Sequence, residues 1–165
     1  MTKDHVDLVI AQWHDERPDI DPSPMAVIGR LVRLNAIISH ELQQVFSQYE
    51  LNMGEFDVLA TLLRSGKPYA LMPNNLFKSL MLSSGAMTNR IDRLESKKLV
   101  ERTPDSADRR SIIVSLTPEG LALINSIIPH HVSKGNELLN GLSNDEQEVI
   151  ARLLKKLLLQ HTEAF

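Results

Sequence analysis

Cysteine is absent from this chain of 165 residues. That one absence excludes structural disulfides, thiolate metal sites and thiol-based oxidant sensing. No apolar run approaches the roughly 20 residues a membrane span requires, and no apolar core with a basic flank marks a signal peptide. The expectation is a cytoplasmic protein with no membrane partner. Internal repeats and low-complexity segments are also missing. So are a glycine-rich phosphate loop, a G-x-S-x-G turn, a zincin motif and any polar cluster resembling a triad, so no enzyme and no cofactor are expected. Tryptophan occurs once, as Trp13.

What is present concentrates between Leu82 and Gly120, LSSGAMTNRIDRLESKKLVERTPDSADRRSIIVSLTPEG. Ser83 and Ser84 are small hydroxyl residues suited to capping the exposed N–H groups of a helix. Met87, Ile91 and Leu94 then recur at helical spacing and form one apolar stripe. The opposite face carries Ser84, Thr88, Asn89 and Arg93, all able to hydrogen-bond to base edges or phosphates. Leu99-Val100 and Ile112-Ile113-Val114 read as two strands, with a polar, basic hairpin tip from Pro104 to Arg110 between them. A recognition helix followed by a basic two-stranded wing is the layout of a winged helix-turn-helix. The fold expected is mainly α with a small β-wing: a winged helix-turn-helix DNA-binding lobe plus a helical dimerisation region.

The formal net charge of −3 speaks against nucleic acid, but its distribution does not. From Asn74 to Leu116 eight Lys/Arg face five Asp/Glu, whereas residues 1–22 carry two against six. A basic reading region inside an acidic chain fits a DNA-binder whose affinity depends on salt.

In chain order, residues 4–17 predict a short helix with Val6, Val9, Ile10 and Trp13 on one side, before Pro18, Pro22 and Pro24 interrupt it. Ser23 is expected to cap, and Pro24 to start, a long helix running to about Tyr49. Asn52 and Glu55 have capping-box spacing for the next helix, which Gly66 and Pro68 end. Residues 70–72 suit a short strand. The brief helix from Pro73 then pairs with the recognition helix as a helix-turn-helix. After the wing, Thr117 caps and Pro118 opens a helix that Pro129 bends rather than ends, up to Gly141. Ser143 and Glu146 repeat the capping-box spacing before the last helix. The organisation expected is one domain over 1–165, with an additional N-terminal helix at 4–17. Dimerisation helices span 24–49 and 118–162, and the winged lobe spans 52–116. Apolar surplus on the first long helix and the last two predicts a homodimer, which would present two recognition helices to a pseudo-palindromic duplex site.

The RIDRLE helix, the LVER strand, the D-x-x-D-R-R wing and the LTPEG helix entry together resemble the signature of the multiple-antibiotic-resistance regulator (MarR) family. The resemblance extends from about Pro24 to Leu159. Lys98 departs from it, because the family usually has glycine there, and a left-handed C′ residue costs least as Gly. By position, Ser83, Ser84, Thr88 and Asn89 are the candidates for the major groove, and Arg93 for phosphate. Arg109, near the wing tip, is the candidate for a minor groove. Asp108 is expected to hold the wing by pairing with a neighbouring arginine, a role Arg110 suits.

Asp57 interrupts the apolar stripe Met53, Phe56, Ala60, Leu63, and Arg90 stands at the edge of the recognition helix's buried face. Two opposite charges intruding on adjacent apolar faces predict a partly buried Asp57–Arg90 pair, able to bind a polar planar anion. Trp13, Asp57 and Arg90 resemble the urate-responsive, HucR/PecS-type branch of the family, in which a further arginine corresponds to Arg102. The resemblance implies a small-molecule effector, urate or a related aromatic anion, that moves the recognition helix and releases DNA, hence a repressor relieved by ligand. Other readings are a phenolic acid or antibiotic as effector, and a fixed Asp57–Arg90 bridge without ligand. A metal-responsive regulator built on His40, His130, His131 and His161 is a further alternative, although no His-x3-His pair is present. A dimerisation module without DNA binding is the last, and the polar recognition helix and Arg109 argue against it.

Overall fold

The computed structural model describes residues 2–80, 84–105 and 111–161, with the backbone alone for 84–87. Among these residues are seven helices: α1 (His5–Glu16), α2 (Ser23–Ser47), α3 (Met53–Arg64), α4 (Pro73–Leu80), α5 (Ser84–Ser96), α6 (Pro118–Leu138) and α7 (Asn144–Leu159). Three strands accompany them, β1 (Ala70–Leu71), β2 (Val100–Pro104) and β3 (Ile112–Leu116). Among the described residues no helix is long and apolar enough to cross a membrane. The chain forms two compact units, Met1–Glu41 and Leu42–Phe165.

In the first unit, α1 opens on a reciprocal capping box. The Asp4 carboxylate accepts the Asp7 N–H at 3.0 Å, and the Asp7 carboxylate accepts the Asp4 N–H at 2.9 Å. Arg30 of α2 grips both acids, at 2.8 Å to Asp4 and 2.7 Å to Asp7. One cation thus ties the start of the added helix to its neighbour, with Val6 buried beneath. Helix α2 begins at Ser23 itself, one residue earlier than its sequence suggests. The reason is Asp21, whose carboxylate takes the Ser23 N–H at 2.9 Å and the Ser23 hydroxyl at 2.8 Å, so the side chain that receives the first N–H precedes Ser23.

The second unit holds the core. Phe46 and Phe56 stack with ring centroids 4.1 Å apart. Val58, Leu59 and Leu62 of α3 are fully buried with Leu76 of α4, Leu94 of α5, and Ile124 and Ile127 of α6. The three strands form one antiparallel sheet in the order β1-β3-β2, with Ala70 opposite Ser115 and Val100 opposite Leu116. Capping boxes form at Asn52 with Glu55 and at Ser143 with Glu146, as their spacing predicts. Helix α6 runs through Pro129 without ending.

Two helix ends turn on non-glycine residues in the left-handed region. After α5, Lys98 has φ of 59°, its N–H bonding to Glu95 O and the Leu99 N–H to Leu94 O. After α2, Glu50 has φ of 56°, with the same pattern from Glu50 to Ser47 and from Leu51 to Phe46. Both are Schellman turns, and in both the apolar residue after the turn packs in the core. Gly120, the last letter of LTPEG, answers a different need. A Cβ there would lie 1.9 Å from the Leu99 carbonyl oxygen, so glycine lets α6 start hard against the α5–β2 turn. Helix α7 has no buried residue and exposes Val149, Ile150, Leu153, Leu154, Leu157 and Leu158.

Candidate functional site

Helix α5 presents two faces. Ile91 and Leu94 are buried in the core, while Thr88 and Asn89 on the outer side are exposed. Ser83, Asp108, Arg109 and Arg110 lie outside the described residues, as does the side chain of Ser84. The outer face is therefore represented by Thr88, Asn89 and Arg93. The Arg93 side chain is 62% exposed, and its Nε lies 3.9 Å from Glu55 of α3.

Glu55 is the buried acid of this seam, only 2% exposed. Its carboxylate accepts the Asn52 N–H at 2.9 Å and takes the Lys97 ammonium at 3.1 Å. Lys97 also donates to the Glu50 carbonyl at 2.6 Å, so one lysine after the recognition helix joins α3 to the turn before it. Sequence reading finds Glu55 as a capping-box partner but misses this second role. No local pattern signals it, since Lys97 is 42 residues away.

Two residues further along α3, Asp57 is half-buried and accepts no hydrogen bond among the described residues. Burial raises its pKa above the usual 3.8, while the charges of Arg90, His131 and Arg64 pull it back. The expected Asp57–Arg90 ion pair does not form. The Arg90 guanidinium lies instead over the bare Cα of Gly54, so close that a Cβ there would stand 2.3 Å from its Cζ and Nε. Its Nη1 is buried and has no partner among the described residues. His131 of α6 shares that condition, with Nδ1 buried and unpartnered and its ring 4.9 Å from Phe56. Asp57 of α3 thus feels the charges of Arg90 from α5 and His131 from α6, and each of those two keeps a buried nitrogen without a partner among the described residues. Sequence reading places His131 only among candidate metal ligands, and it takes the packing of α6 on α3 to bring it here.

Arg102 of β2 is committed elsewhere. It pairs with Glu95 and, at 2.6 Å, with Asp92, both on α5. It also lines, with Pro73, Phe77, Thr88, Ile91 and Ile112, a cavity of about 350 Å³ at the root of the wing. Trp13, on α1 of the first unit, is 39% exposed.

Residues 51–112 match the family model described as the MarR family. The chain is also 42% identical over 149 residues to the HTH-type transcriptional regulator PecS of Dickeya dadantii, covering 90% of each protein. The chain belongs to the MarR family. It is a winged helix-turn-helix transcriptional regulator of that family. Among solved structures it resembles a cysteine-to-serine mutant of MarR from E. coli complexed with operator DNA. That match has 30% identity and a TM-score of 0.72, over 88% of this chain and 97% of the other. Bordetella bronchiseptica BpsR, studied for regulation of its DNA binding by 6-hydroxynicotinic acid, is similar at 29% identity. Its TM-score is 0.72, over 79% of this chain and 91% of BpsR. In this MarR-family chain α5 is therefore tied to α3 at Glu55, through Arg93 and the following Lys97, while Arg90 reaches α3 over Gly54 without pairing with Asp57.

Proposed function

We propose that this MarR-family regulator is a repressor that binds pseudo-palindromic DNA as a homodimer and is released by a planar aromatic anion such as urate. The observation that carries the reading is the unsaturated group at the base of the recognition helix: Arg90 Nη1, buried without a partner, beside an Asp57 that is charged only against its burial. An anion with N–H groups on the same ring could accept from Arg90 and donate to Asp57. Arg90 is on α5, so any shift it makes to hold the anion is a shift of the helix that carries Thr88, Asn89 and Arg93. The apolar stripe of α7 and the exposed Val27, Val32, Leu34 and Ile37 of α2 supply surfaces for a second copy. Ser83, Ser84, Asp108, Arg109 and Arg110 remain assigned to DNA on their sequence positions. Arg102 and Trp13 remain assigned to the effector on the family resemblance.

BpsR supports the alternative of a monocyclic hydroxylated acid, since the ligand named with it is 6-hydroxynicotinic acid. The two effectors are separated by titrating each against the fluorescence of Trp13, with absorbance by the ligand corrected. Saturable quenching by urate that is lost in Arg90→Ala supports the purine reading. The same response to 6-hydroxynicotinic acid alone replaces it with the monocyclic one. DNA binding is tested by selecting duplexes from a randomised pool. Enrichment of inverted half-sites is expected, and recovery of unpaired single sites would overturn the dimeric mode. Arg93→Ala should weaken binding to selected and unselected duplexes alike and flatten the salt dependence by about one phosphate.

A further inference from the structure

We infer that Gly54 is a positioning residue of the effector site: its missing side chain is what seats the Arg90 guanidinium against α3. The inference rests on the effector reading above and adds a residue that touches no ligand. Gly54 lies in the first turn of α3 and is not among the residues with a left-handed backbone, so its conformation does not demand glycine. Glycine is a poor helix former, and alanine would suit the helix better by about 1 kcal/mol. What occupies the space of the absent side chain is a single group. A Cβ would meet Arg90 Cζ and Nε at 2.3 Å and Nη2 at 2.8 Å, and none of these is backbone.

Three residues on, and so on the same side of the helix, stands Asp57. The guanidinium is thus held beside Asp57 by a steric slot rather than by an ion pair, which leaves Nη1 without a partner. A guanidinium paired to Asp57 would have to be pulled away before an anion could take it. One parked over Gly54 offers an N–H that is already stripped of water, and an incoming acceptor removes the cost of leaving it unpaired. Any side chain at 54 would push the far end of a flexible arginine out of the slot. The fold survives that, and the geometry of the site does not.

The test is a cycle of Gly54→Ala, Arg90→Ala and the double variant, read by urate titration of Trp13 fluorescence and by thermal melting. Gly54→Ala is expected to melt cooperatively and to weaken urate binding at least tenfold. In the Arg90→Ala background the same change should leave urate binding where Arg90→Ala put it. There it should also raise Tm, because only the helix preference remains, whereas in the parent Tm should stay level or fall. Parental urate affinity in Gly54→Ala, with loss in Arg90→Ala, would overturn the inference and leave the effector reading standing. Parental urate affinity in Arg90→Ala would remove the effector reading and, with it, the proposed role. Equal Tm shifts in both backgrounds would overturn the seat itself.

Discussion

Glu55 and Asp57 stand two residues apart on α3, and the fold treats their carboxylates in opposite ways. Glu55 is almost wholly buried and fully engaged, by the Asn52 N–H, the Lys97 ammonium and, at longer range, Arg93. Asp57 is half-buried and engaged by nothing closer than electrostatic attraction. Glu55 is met by Arg93 of α5 and the following Lys97, whereas Asp57 feels only the charge of Arg90 on that helix. The difference separates structure from site. A buried charge whose lone pairs are all taken holds its partners in place, and a partly buried charge left open keeps a free energy that a ligand can claim.

The contrast is broken most strongly at its saturated end. Lys97→Met should strand the Glu55 carboxylate and destabilise the protein by about 2 kcal/mol. A melting temperature lower by about 4–8 °C is the expected readout for a chain of this size. An unchanged melt would mean that Arg93 alone satisfies Glu55. A middle-sized effect of opposite sign is expected next door. Lys98 holds the left-handed turn that delivers Lys97 to Glu55, and Lys98→Gly should relieve its backbone and stabilise by about 0.5–1 kcal/mol. Denaturant titration checks this through a higher midpoint at unchanged slope.

The smallest change belongs to the open end, and its size depends on pH. The folded state raises the pKa of Asp57, so between 3.8 and that raised value it binds more protons than the unfolded chain. Asp57 therefore lowers stability as pH rises through this window, and the loss persists above it. Asp57→Asn removes the effect. The variant should gain on the parent from mildly acid to neutral solution, in denaturant titrations at stepped pH. A loss at neutral pH that shrinks toward acid would put Asp57 in an ion pair after all.

The sequence reveals most of the architecture because local signals decide most of it. Capping boxes at Asn52 and Ser143, the Thr117-Pro118 entry and the two wing strands all lie where spacing puts them. The position of Lys98 is legible too, since the family usually has glycine there, and Lys98 takes the left-handed conformation, φ of 59°, that glycine would adopt at least cost. The start of α2 is off by one residue because Asp21, a neighbour outside the helix, supplies the cap. The candidate site is legible only in part. Charges on apolar stripes mark Asp57 and Arg90, but periodicity cannot say whether such charges meet. The answer depends on Gly54, which reads in the sequence as an ordinary helix residue and acts through the space it leaves. His131 and Lys97 are invisible for the same reason, being brought in by helices distant in the chain.

Helix α7 is sixteen residues long and buries none of them in its own chain. A helix of that length alone in water sits near the limit of persistence. With the proposed second copy as its cover, its order becomes subject to mass action, so dilution and unwinding are one equilibrium. Far-ultraviolet ellipticity that falls on dilution would then measure association directly, without any label or partner.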